Sequence, residues 1–462
     1  MSERSAQRLW DAALSLRGKR VVVAGLGLFG GGVAATRFLV EEGADVLVTD
    51  TKSESELATS LNALDGLNID YKLCGHDRQD FELADLIVAN PAIPFRSEFL
   101  QAAVSSGVPV TTEIALFFAR FPGKTIAVTG TSGKTTTTTL IGHIVANAIP
   151  DTIVGGNMGG SLLDSLATCS GHTTAVVELS SFQLRYLDAM RWRPEIGVVT
   201  NFSPNHLDIH DDLDDYRACK QGLIVHQSAK DVAILNRDDD EVSGWQTRAR
   251  RLAFGFGQQE ADGVEVVDGR IDYRQDGATR TICGVEDLLI PGKHNQANAS
   301  AAACAALSAG VSMGEVAEVL ATFEGVEHRL ERCREVNGVV FYNDSIATSP
   351  ERTVVALEAL ERPCILIAGG SDKGLGYATL GAEIDRLAKH VLLIGDTGAK
   401  IAEAIGLVTV EEMPDLTAAV RRAHDLAVAG DAVLLSPASA SFDMFANFEE
   451  RGRVFKTLVA KI

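Results

Sequence analysis

Three times along the chain, a run of small and β-branched apolar residues ends in glycines and passes into a helical pattern. Arg20–Ala24 precedes Gly25-Leu26-Gly27-Leu28-Phe29-Gly30, Thr125–Thr129 precedes Gly130-Thr131-Ser132-Gly133, and Cys364–Ala368 precedes Gly369-Gly370-Ser371. A strand that stops at a glycine turn and continues as a helix must cross back over its sheet, so the next strand runs parallel to it. Three such starts in 462 residues predict three α/β domains rather than one large sheet.

The remaining apolar runs fit that scheme. Asp45–Thr49 and Leu86–Ala89 extend the first sheet, with a helix over Val33–Glu41. Ala175–Glu178, Ile196–Thr200 and Val232–Leu235 extend the second, and Val339–Tyr342, Val391–Ile394 and Ala432–Leu435 the third. Residues 251–290 differ. Asp268-Gly269 between Val264–Val267 and Arg270–Arg274 is a hairpin signal, so a small β insertion is expected on the second domain. An Ala-rich helix over Ala297–Ala309 follows. The expected division is 1–112, 113–325 and 326–462. The first and third domains are read as Rossmann-like and the second as P-loop ATPase-like.

Charge and cysteine usage limit the partners. Lys plus Arg is 42 against 62 Asp plus Glu, a formal charge of −20. A body this acidic lacks the footprint of a nucleic-acid binder and is not drawn to an anionic membrane. The seven cysteines are scattered with no Cys-x-x-Cys pair, which argues against a disulfide framework or a thiolate zinc knuckle. Residues 1–18 carry Glu3 and Asp11 and have no apolar centre, so no signal peptide is expected there. The uncharged stretch Asn295–Gly314 is rich in Ala, Ser and Asn rather than Leu or Ile, so it reads as a helix of a globular domain. The expectation is a cytoplasmic monomer.

The first glycine loop matches G-x-G-x-x-G, and Asp50 ends the next strand twenty residues after Gly30. Glycines there allow close approach of a diphosphate, and the acid can bind a hydroxyl. By itself the motif leaves open NAD, another nucleotide or no ligand. The second loop is more specific. In Gly130-Thr131-Ser132-Gly133-Lys134-Thr135-Thr136, backbone N–H groups can converge on phosphate oxygens, Lys134 can reach the terminal phosphates and the Thr135 hydroxyl can ligate Mg²⁺. Val128 stands where the generic pattern has its first glycine.

That departure resembles the Mur ligases, whose loop also lacks the first glycine. These bacterial cell-wall enzymes couple ATP hydrolysis to amide formation. Further segments carry the resemblance over essentially the whole chain: Gly155-Gly156-Asn157, Glu178-Leu179-Ser180-Ser181-Phe182-Gln183-Leu184, and Asn201 to Asp208, where Asn205 replaces the usual Asp. The C-terminal third adds His328-Arg329-Leu330-Glu331, Asn343 to Thr348, Gly369 to Lys373 and Ser436 to Asp443, followed by Asn447-Phe448 and Arg451-Gly452.

The resemblance implies roles. Glu178, His206, Thr135 and Lys220 would hold Mg²⁺ at two sites, with Lys220 as a carbamate, and Lys134 would act on the phosphoryl group. Read without the family, His206-x-Asp208-x-His210 could instead be a zinc site. Gly130, Thr131, Ser132, Gly133, Lys134, Thr135, Thr136, Asn295, Asn298, Arg329 and Asp344 would bind ATP, with Arg329 reaching across an interface. Leu28, Phe29, Asp50, Thr51, Lys52, Asn157, Ser181 and His206 would bind a UDP-sugar in place of NAD, near Asn90-Pro91-Ala92, where Ala92 replaces a common Gly. Thr348, Lys373, Ser441, Phe442 and Phe448 would bind the incoming amino acid.

The C-terminal segments are most similar to the member that adds D-glutamate to UDP-N-acetylmuramoyl-L-alanine through an acyl phosphate, and they imply closure of the last domain during turnover. Ile346 stands where that member has Lys, which keeps open a sister ligase for L-glutamate or another amino acid. The residues also leave room for a folylpolyglutamate synthase, an NAD-dependent dehydrogenase or a non-catalytic nucleotide-binding module.

Overall fold

The computed structural model describes residues 3–27, 30–91, 93–158, 160–205, 209–258, 260–360, 362–372 and 374–462. The chain forms an α/β fold with three sheets in two compact units. One unit is Met1–Val285 with Ala297–Val319, and the other is Glu286–Gln296 with Leu320–Ile462.

The first sheet contains β1 (Arg20–Ala24), β2 (Asp45–Thr49), β3 (Asp70–Lys72), β4 (Leu86–Ala89) and β5 (Val110–Thr111), all parallel, in the order β3-β2-β1-β4-β5. Strand order reverses between β1 and β4, so a crevice opens past their carboxyl ends. The β1 residues Val21 to Ala24 and all of β4 are buried, as expected for parallel strands covered on both faces.

The second sheet has nine strands: β6 (Lys124–Thr129), β7 (Thr152–Gly156), β8 (Thr174–Glu178), β9 (Ile196–Val199), β10 (Val232–Asn236), β11 (Arg250–Phe256), β12 (Gly263–Val267), β13 (Arg270–Gln275) and β14 (Ala278–Gly284). Their order is β14-β13-β12-β11-β10-β9-β6-β8-β7. The β-rich segment expected after residue 250 is present, and it joins the main sheet, with β11 parallel to β10 from Val232↔Arg250 onward. Two hairpins close its far end. In each, an Asp-Gly pair takes positive φ at both positions: Asp268 (48°) with Gly269 (75°), and Asp276 (51°) with Gly277 (76°). That conformation matches the twist of the flanking strands.

The third sheet contains β15 (Glu331–Val336), β16 (Val339–Asn343), β17 (Cys364–Ala368), β18 (Ala388–Leu393), β19 (Val410–Glu412) and β20 (Ala432–Leu435), in the order β15-β16-β20-β17-β18-β19. Only β15 pairs antiparallel. The loops after β17 and β20 therefore lie side by side at a reversal of strand order.

The first two sheets share one apolar core, which runs from Val21 and Val88 through Phe117, Phe118 and Trp192 to Val177 and Leu235. The Phe118 and Trp192 rings lie 4.1 Å apart, and Trp10 donates to the carbonyl of Met190 at 2.7 Å. This packing fixes the crevice of the first sheet against the ends of β7 and β8. Among the described residues, no helix is long and apolar enough to cross a membrane.

Candidate active site

The carboxyl ends of β6, β8 and β9 converge on the second glycine loop. Gly130 has φ 153°, and a Cβ there would come within 1.9 Å of the Thr200 hydroxyl oxygen. Gly133 caps the helix Lys134–Ala148 at φ 77°, where a Cβ would meet the Asn298 side chain at 2.5 Å. Only glycine fits either place. The loop is tied down from β9: the Ser132 N–H donates to Asn201 Oδ1 (2.8 Å), and the Thr200 hydroxyl donates to the Ser132 carbonyl (2.6 Å). The Thr131 and Tyr216 hydroxyls lie 3.1 Å apart. Lys134 Nζ donates to the carbonyls of Gly130 and Thr131, both at 3.0 Å. Thr135 is half-buried and Thr136 buried in the first helical turn. The loop and the helix start thus present backbone N–H groups and a cation where phosphate oxygens can sit.

Two buried charged groups flank this loop. Lys220, on the helix Leu213–Val225, is 2% exposed, and among the described residues its Nζ makes one hydrogen bond, to the Gly130 carbonyl at 2.7 Å. Burial, reinforced by the nearby Lys134 cation, pushes its pKa down to about 7. Glu178, at the end of β8, is 2% exposed. Its Oε1 accepts from Asn157 Nδ2 (2.8 Å), while Oε2 is buried with no hydrogen-bond partner among the described residues. Burying an unsatisfied carboxylate oxygen is costly, so its persistence next to a phosphate loop suits a hard cation.

Asn157 also lines a cavity of about 340 Å³. The cavity runs from the first glycine loop (Gly25, Gly27, Gly31) and the end of β4 (Asn90, Pro91) to Asn157, Ser161 and Gln183. Asp50 is 5% exposed and faces the same loop. It accepts from the N–H groups of Gly27 (3.2 Å) and Lys52 (2.9 Å). Thr51 is exposed and Lys52 half-buried. Glu113, another lining residue, accepts from the Ser161 hydroxyl, and burial raises its carboxyl pKa. Sequence reasoning did not single out Glu113, Ser161 or Gln183. Gln183 belongs to a capping box with Ser180, and that pattern is visible in Ser180-x-x-Gln183.

Ser181 opens the helix Ser181–Ala189, and its hydroxyl lies 2.9 Å from His210 Nε2. His210 is 1% exposed, with Nδ1 2.8 Å from Asp215. Both ring nitrogens thus have partners within the protein, and the ligand atoms of His210, Asp215 and Cys219 lie within 4.8 Å of one another, a grouping different from the one that the spacing to His206 suggested. Leu28, Phe29, Ala92, His206, Asp208 and Lys373 lie outside the described residues.

Asn298 accepts from Thr137 within the first unit (3.3 Å). Asn295 belongs to the second, where its amide donates to the Pro291 carbonyl at 2.7 Å. The two amides thus serve different local contacts.

In the second unit, the loops after β16, β17 and β20 pack around Arg451. This guanidinium has no exposure. It donates to the Ser345 hydroxyl (3.0 Å) and carbonyl (2.9 Å), to the Ser439 carbonyl through two nitrogens (both 3.2 Å) and to the Ala440 carbonyl (3.1 Å). Burial lowers its pKa to about 10. Asp344 is 5% exposed and accepts from the Leu330 N–H (3.1 Å) and the Ser436 hydroxyl (2.7 Å), yet burial pushes its pKa up to about 7. Arg329 is one residue from the Leu330 donor, and its charge acts on Asp344. Gly452 faces His328, where a Cβ would lie 2.1 Å from Nδ1. Ser441 is buried, whereas Phe442 is 68% exposed, with its N–H bonded to the Ser371 hydroxyl at 3.1 Å. The Phe448 carbonyl accepts from the Ser345 hydroxyl (2.8 Å), and the Thr348 N–H donates to the Ile346 carbonyl (2.8 Å). Arg451 is visible in the sequence as part of a motif, but nothing there indicates that its guanidinium bonds to two loops.

Comparison with known proteins agrees with this architecture. Residues 19–112 match the Mur ligase MurD-like N-terminal domain, 128–306 the Mur ligase middle domain, and 328–439 the Mur ligase glutamate ligase domain. The UDP-N-acetylmuramoylalanine–D-glutamate ligase of Koribacter versatilis (strain Ellin345) is 40% identical over 451 residues, covering 97% of this chain and 99% of its own. The enzyme of the same name from Roseiflexus sp. (strain RS-1) is also 40% identical, covering 96% and 99%. Among solved structures, the MurF ligase from Thermotoga maritima in complex with ADP shares the fold at TM-score 0.57 and 18% identity, covering 97% of each chain.

Proposed function

Because the chain belongs to the Mur ligase family, we propose that it is an ATP-dependent ligase joining D-glutamate to UDP-N-acetylmuramoyl-L-alanine in peptidoglycan precursor synthesis. One observation supports this reading above the others. The cavity at the first glycine loop ends on Asn157, and Asn157 is hydrogen-bonded to Glu178 beside the phosphate loop. An acceptor lying in that cavity has one end within a side chain's reach of the site where a nucleotide's terminal phosphate would sit. Phosphorylation of an acceptor carboxylate needs that proximity.

In this reading, residues 1–112 hold the UDP-sugar, 113–325 ATP and 326–462 the amino acid. Leu28, Phe29, Asp50, Thr51, Lys52, Asn157 and Ser181 contact the nucleotide-sugar, and Gly130 to Thr136 cradle the phosphates. Asn295, Asn298, Arg329 and Asp344 complete the ATP site, and Thr348, Lys373, Ser441, Phe442 and Phe448 receive glutamate. Thr135, Glu178, His206 and Lys220 would hold Mg²⁺, which offsets charge on the transferring phosphoryl group. The unpartnered Glu178 oxygen fits that role. A Lys220 amine with a pKa near 7 has a large neutral population at neutral pH, and the neutral amine is the form that adds CO₂. The resulting carbamate is an anionic oxygen ligand where an ammonium would repel the metal.

Lys134 draws charge from the phosphoryl group as the alanyl carboxylate attacks it. ADP leaves, the glutamate amine adds to the acyl phosphate, and phosphate departs with formation of the amide. The reading is tested by phosphate release from ATP with UDP-N-acetylmuramoyl-L-alanine, comparing D-glutamate, L-glutamate and other amino acids. D-Glutamate should support turnover well above the rest. Equal or greater release with L-glutamate would move the assignment to a sister activity, and nucleotide binding without release would make the chain a non-catalytic module.

A further inference from the structure

The cavity at the first glycine loop carries one charge-bearing side chain that the proposed roles do not use. Among its described lining residues Glu113 is the sole ionisable one, and no lysine or arginine lines it to meet an anion. Glu113 is the first residue of the helix Glu113–Phe118, just past β5, and is half-buried. Its Oε1 accepts from the Ser161 hydroxyl, which in turn accepts from the Leu163 N–H at 3.2 Å. Oε2 has no side-chain partner among the described residues and is not sealed from solvent.

The surroundings disfavour the ionised form. Burial outweighs the Ser161 hydroxyl and the Leu163 N–H, which favour it, and raises the carboxyl pKa. Among the described charged groups on the helices packed around Glu113, Asp164 is the one whose charge acts on it, and Asp164 is an anion. Arg37 is turned to Asp164 at 3.5 Å. Arg8 donates to the Gly107 carbonyl (2.6 Å), Arg185 pairs with Asp215, and Arg120 pairs with Glu42 (3.1 Å). A round cavity of about 340 Å³ is about 9 Å across, within one Debye length at physiological salt, so an anion bound in it acts on Glu113 with little screening. That anion opposes the carboxylate further. With a proton on Oε2, the same group changes from a repelling charge into a donor, and an anionic oxygen accepts strongly from it.

We infer that the nucleotide-sugar binds together with one proton, held on Glu113 Oε2 and donated in a hydrogen bond to an anionic oxygen of the ligand's diphosphate. Backbone N–H groups of the glycine loop and of the helix that starts at Gly31 meet the rest of that charge. Glu113 thus supplies the charge compensation that no lining lysine or arginine supplies. The inference rests on the ligase reading for its ligand and adds a proton to the binding equilibrium: protein with ionised Glu113, ligand and H⁺ give the complex. Above the pH at which the free protein loses this proton, each pH unit weakens binding by up to about tenfold, until the complex loses the proton as well.

The test is equilibrium binding of UDP-N-acetylmuramoyl-L-alanine without ATP, followed by calorimetry from about pH 5.5 to 8.5 in buffers of different ionisation enthalpy, which counts the protons taken up. The ligand's diphosphate and carboxylate stay ionised over that range. Glu113→Gln keeps an oxygen for Ser161 and offers an N–H where the acid O–H stood, so it mimics the protonated form. Across the range, wild type should weaken about tenfold relative to Glu113→Gln and, where its curve is steepest, take up nearly one more proton per ligand. Ser161→Ala removes a group that favours the carboxylate, so the same loss should appear at higher pH, a shift that a packing role would not produce. Equal proton counts in wild type and Glu113→Gln, weaker binding by Glu113→Gln at every pH, or a Ser161→Ala curve moved to lower pH would each overturn the inference. If UDP alone is bound but the acceptor is not, the ligase reading fails, and the proton count with UDP decides the inference by the same criteria. If neither is bound, both fall.

Discussion

Lys220 and Arg451 are both cations with almost no exposure, and both sit past the carboxyl end of a parallel sheet. Among the described residues, Arg451 makes five hydrogen bonds to two loops, while Lys220 makes one. The acids beside them repeat the contrast. Asp344 has a donor on each oxygen, whereas Glu178 leaves Oε2 without one among the described residues. At the third sheet, buried charge is saturated by protein and acts as scaffold. At the second, among the described residues, it has fewer protein partners than it can take, as a ligand-binding charge would. Burial alone does not separate a structural charge from a functional one, whereas the number of partners does.

The comparison can be broken by substitution. Lys134→Ala should lower ligase turnover by about a thousandfold through loss of charge stabilisation, measured as phosphate release; turnover within tenfold of wild type would detach the glycine loop from the chemistry. Arg451→Met should destabilise the second unit by about 3–5 kcal/mol, because several buried acceptors lose their donor. All three tryptophans, Trp10, Trp192 and Trp245, lie in the first unit, so the loss should appear in the circular dichroism of a urea titration before it appears in tryptophan fluorescence. Lys220→Met should act in the opposite sense. In CO₂-free buffer at pH 7 it should stabilise the first unit by about 1–3 kcal/mol while abolishing turnover, since an apolar side chain of similar size needs no partner. A destabilised Lys220→Met protein would place Lys220 with Arg451 among the scaffold charges.

The smallest effects are in pH dependence, and their signs differ. Asp344 has its pKa raised in the folded state to about 7, so the native protein binds the extra proton. Its contribution to stability is full below the ordinary carboxylate value and is lost as pH rises to about 7. Lys220 has its pKa lowered to about 7 from 10.5, so the unfolded chain binds the extra proton, and stability is gained as pH rises through that interval. Asp344→Asn should flatten the acid-side slope of the second unit and leave the tryptophan-reported slope of the first unchanged.

Much of this architecture was legible because parallel strands covered on both faces give short apolar runs that end at glycines. β1, β4, β17 and β20 fall where the sequence placed them, at Arg20–Ala24, Leu86–Ala89, Cys364–Ala368 and Ala432–Leu435. Strands without that cover were not legible. β3 (Asp70–Lys72) is exposed at every position, and β19 (Val410–Glu412) has no buried residue. Each is an edge strand held by its neighbour rather than by its own pattern. In the site, residues contiguous with a loop were readable, as Gly130 to Thr136 were. Pairings made by topology were not. Nothing local in Asn157 or Glu178 reveals their hydrogen bond, and Ser181 meets His210 only because the following helix brings residue 210 back over the helix that begins at 181.

The Asp276-Gly277 turn joins β13 to the outermost strand of the nine-stranded sheet. Six strand spacings separate that strand from β6, roughly 29 Å across the sheet. Both turn residues are exposed, and a Cβ at Gly277 would meet nothing within 4 Å, although its φ of 76° favours glycine. The tip is thus an attachment point, where a peptide epitope or a surface tether can be spliced between Asp276 and Gly277 to immobilise the protein with its phosphate loop left clear.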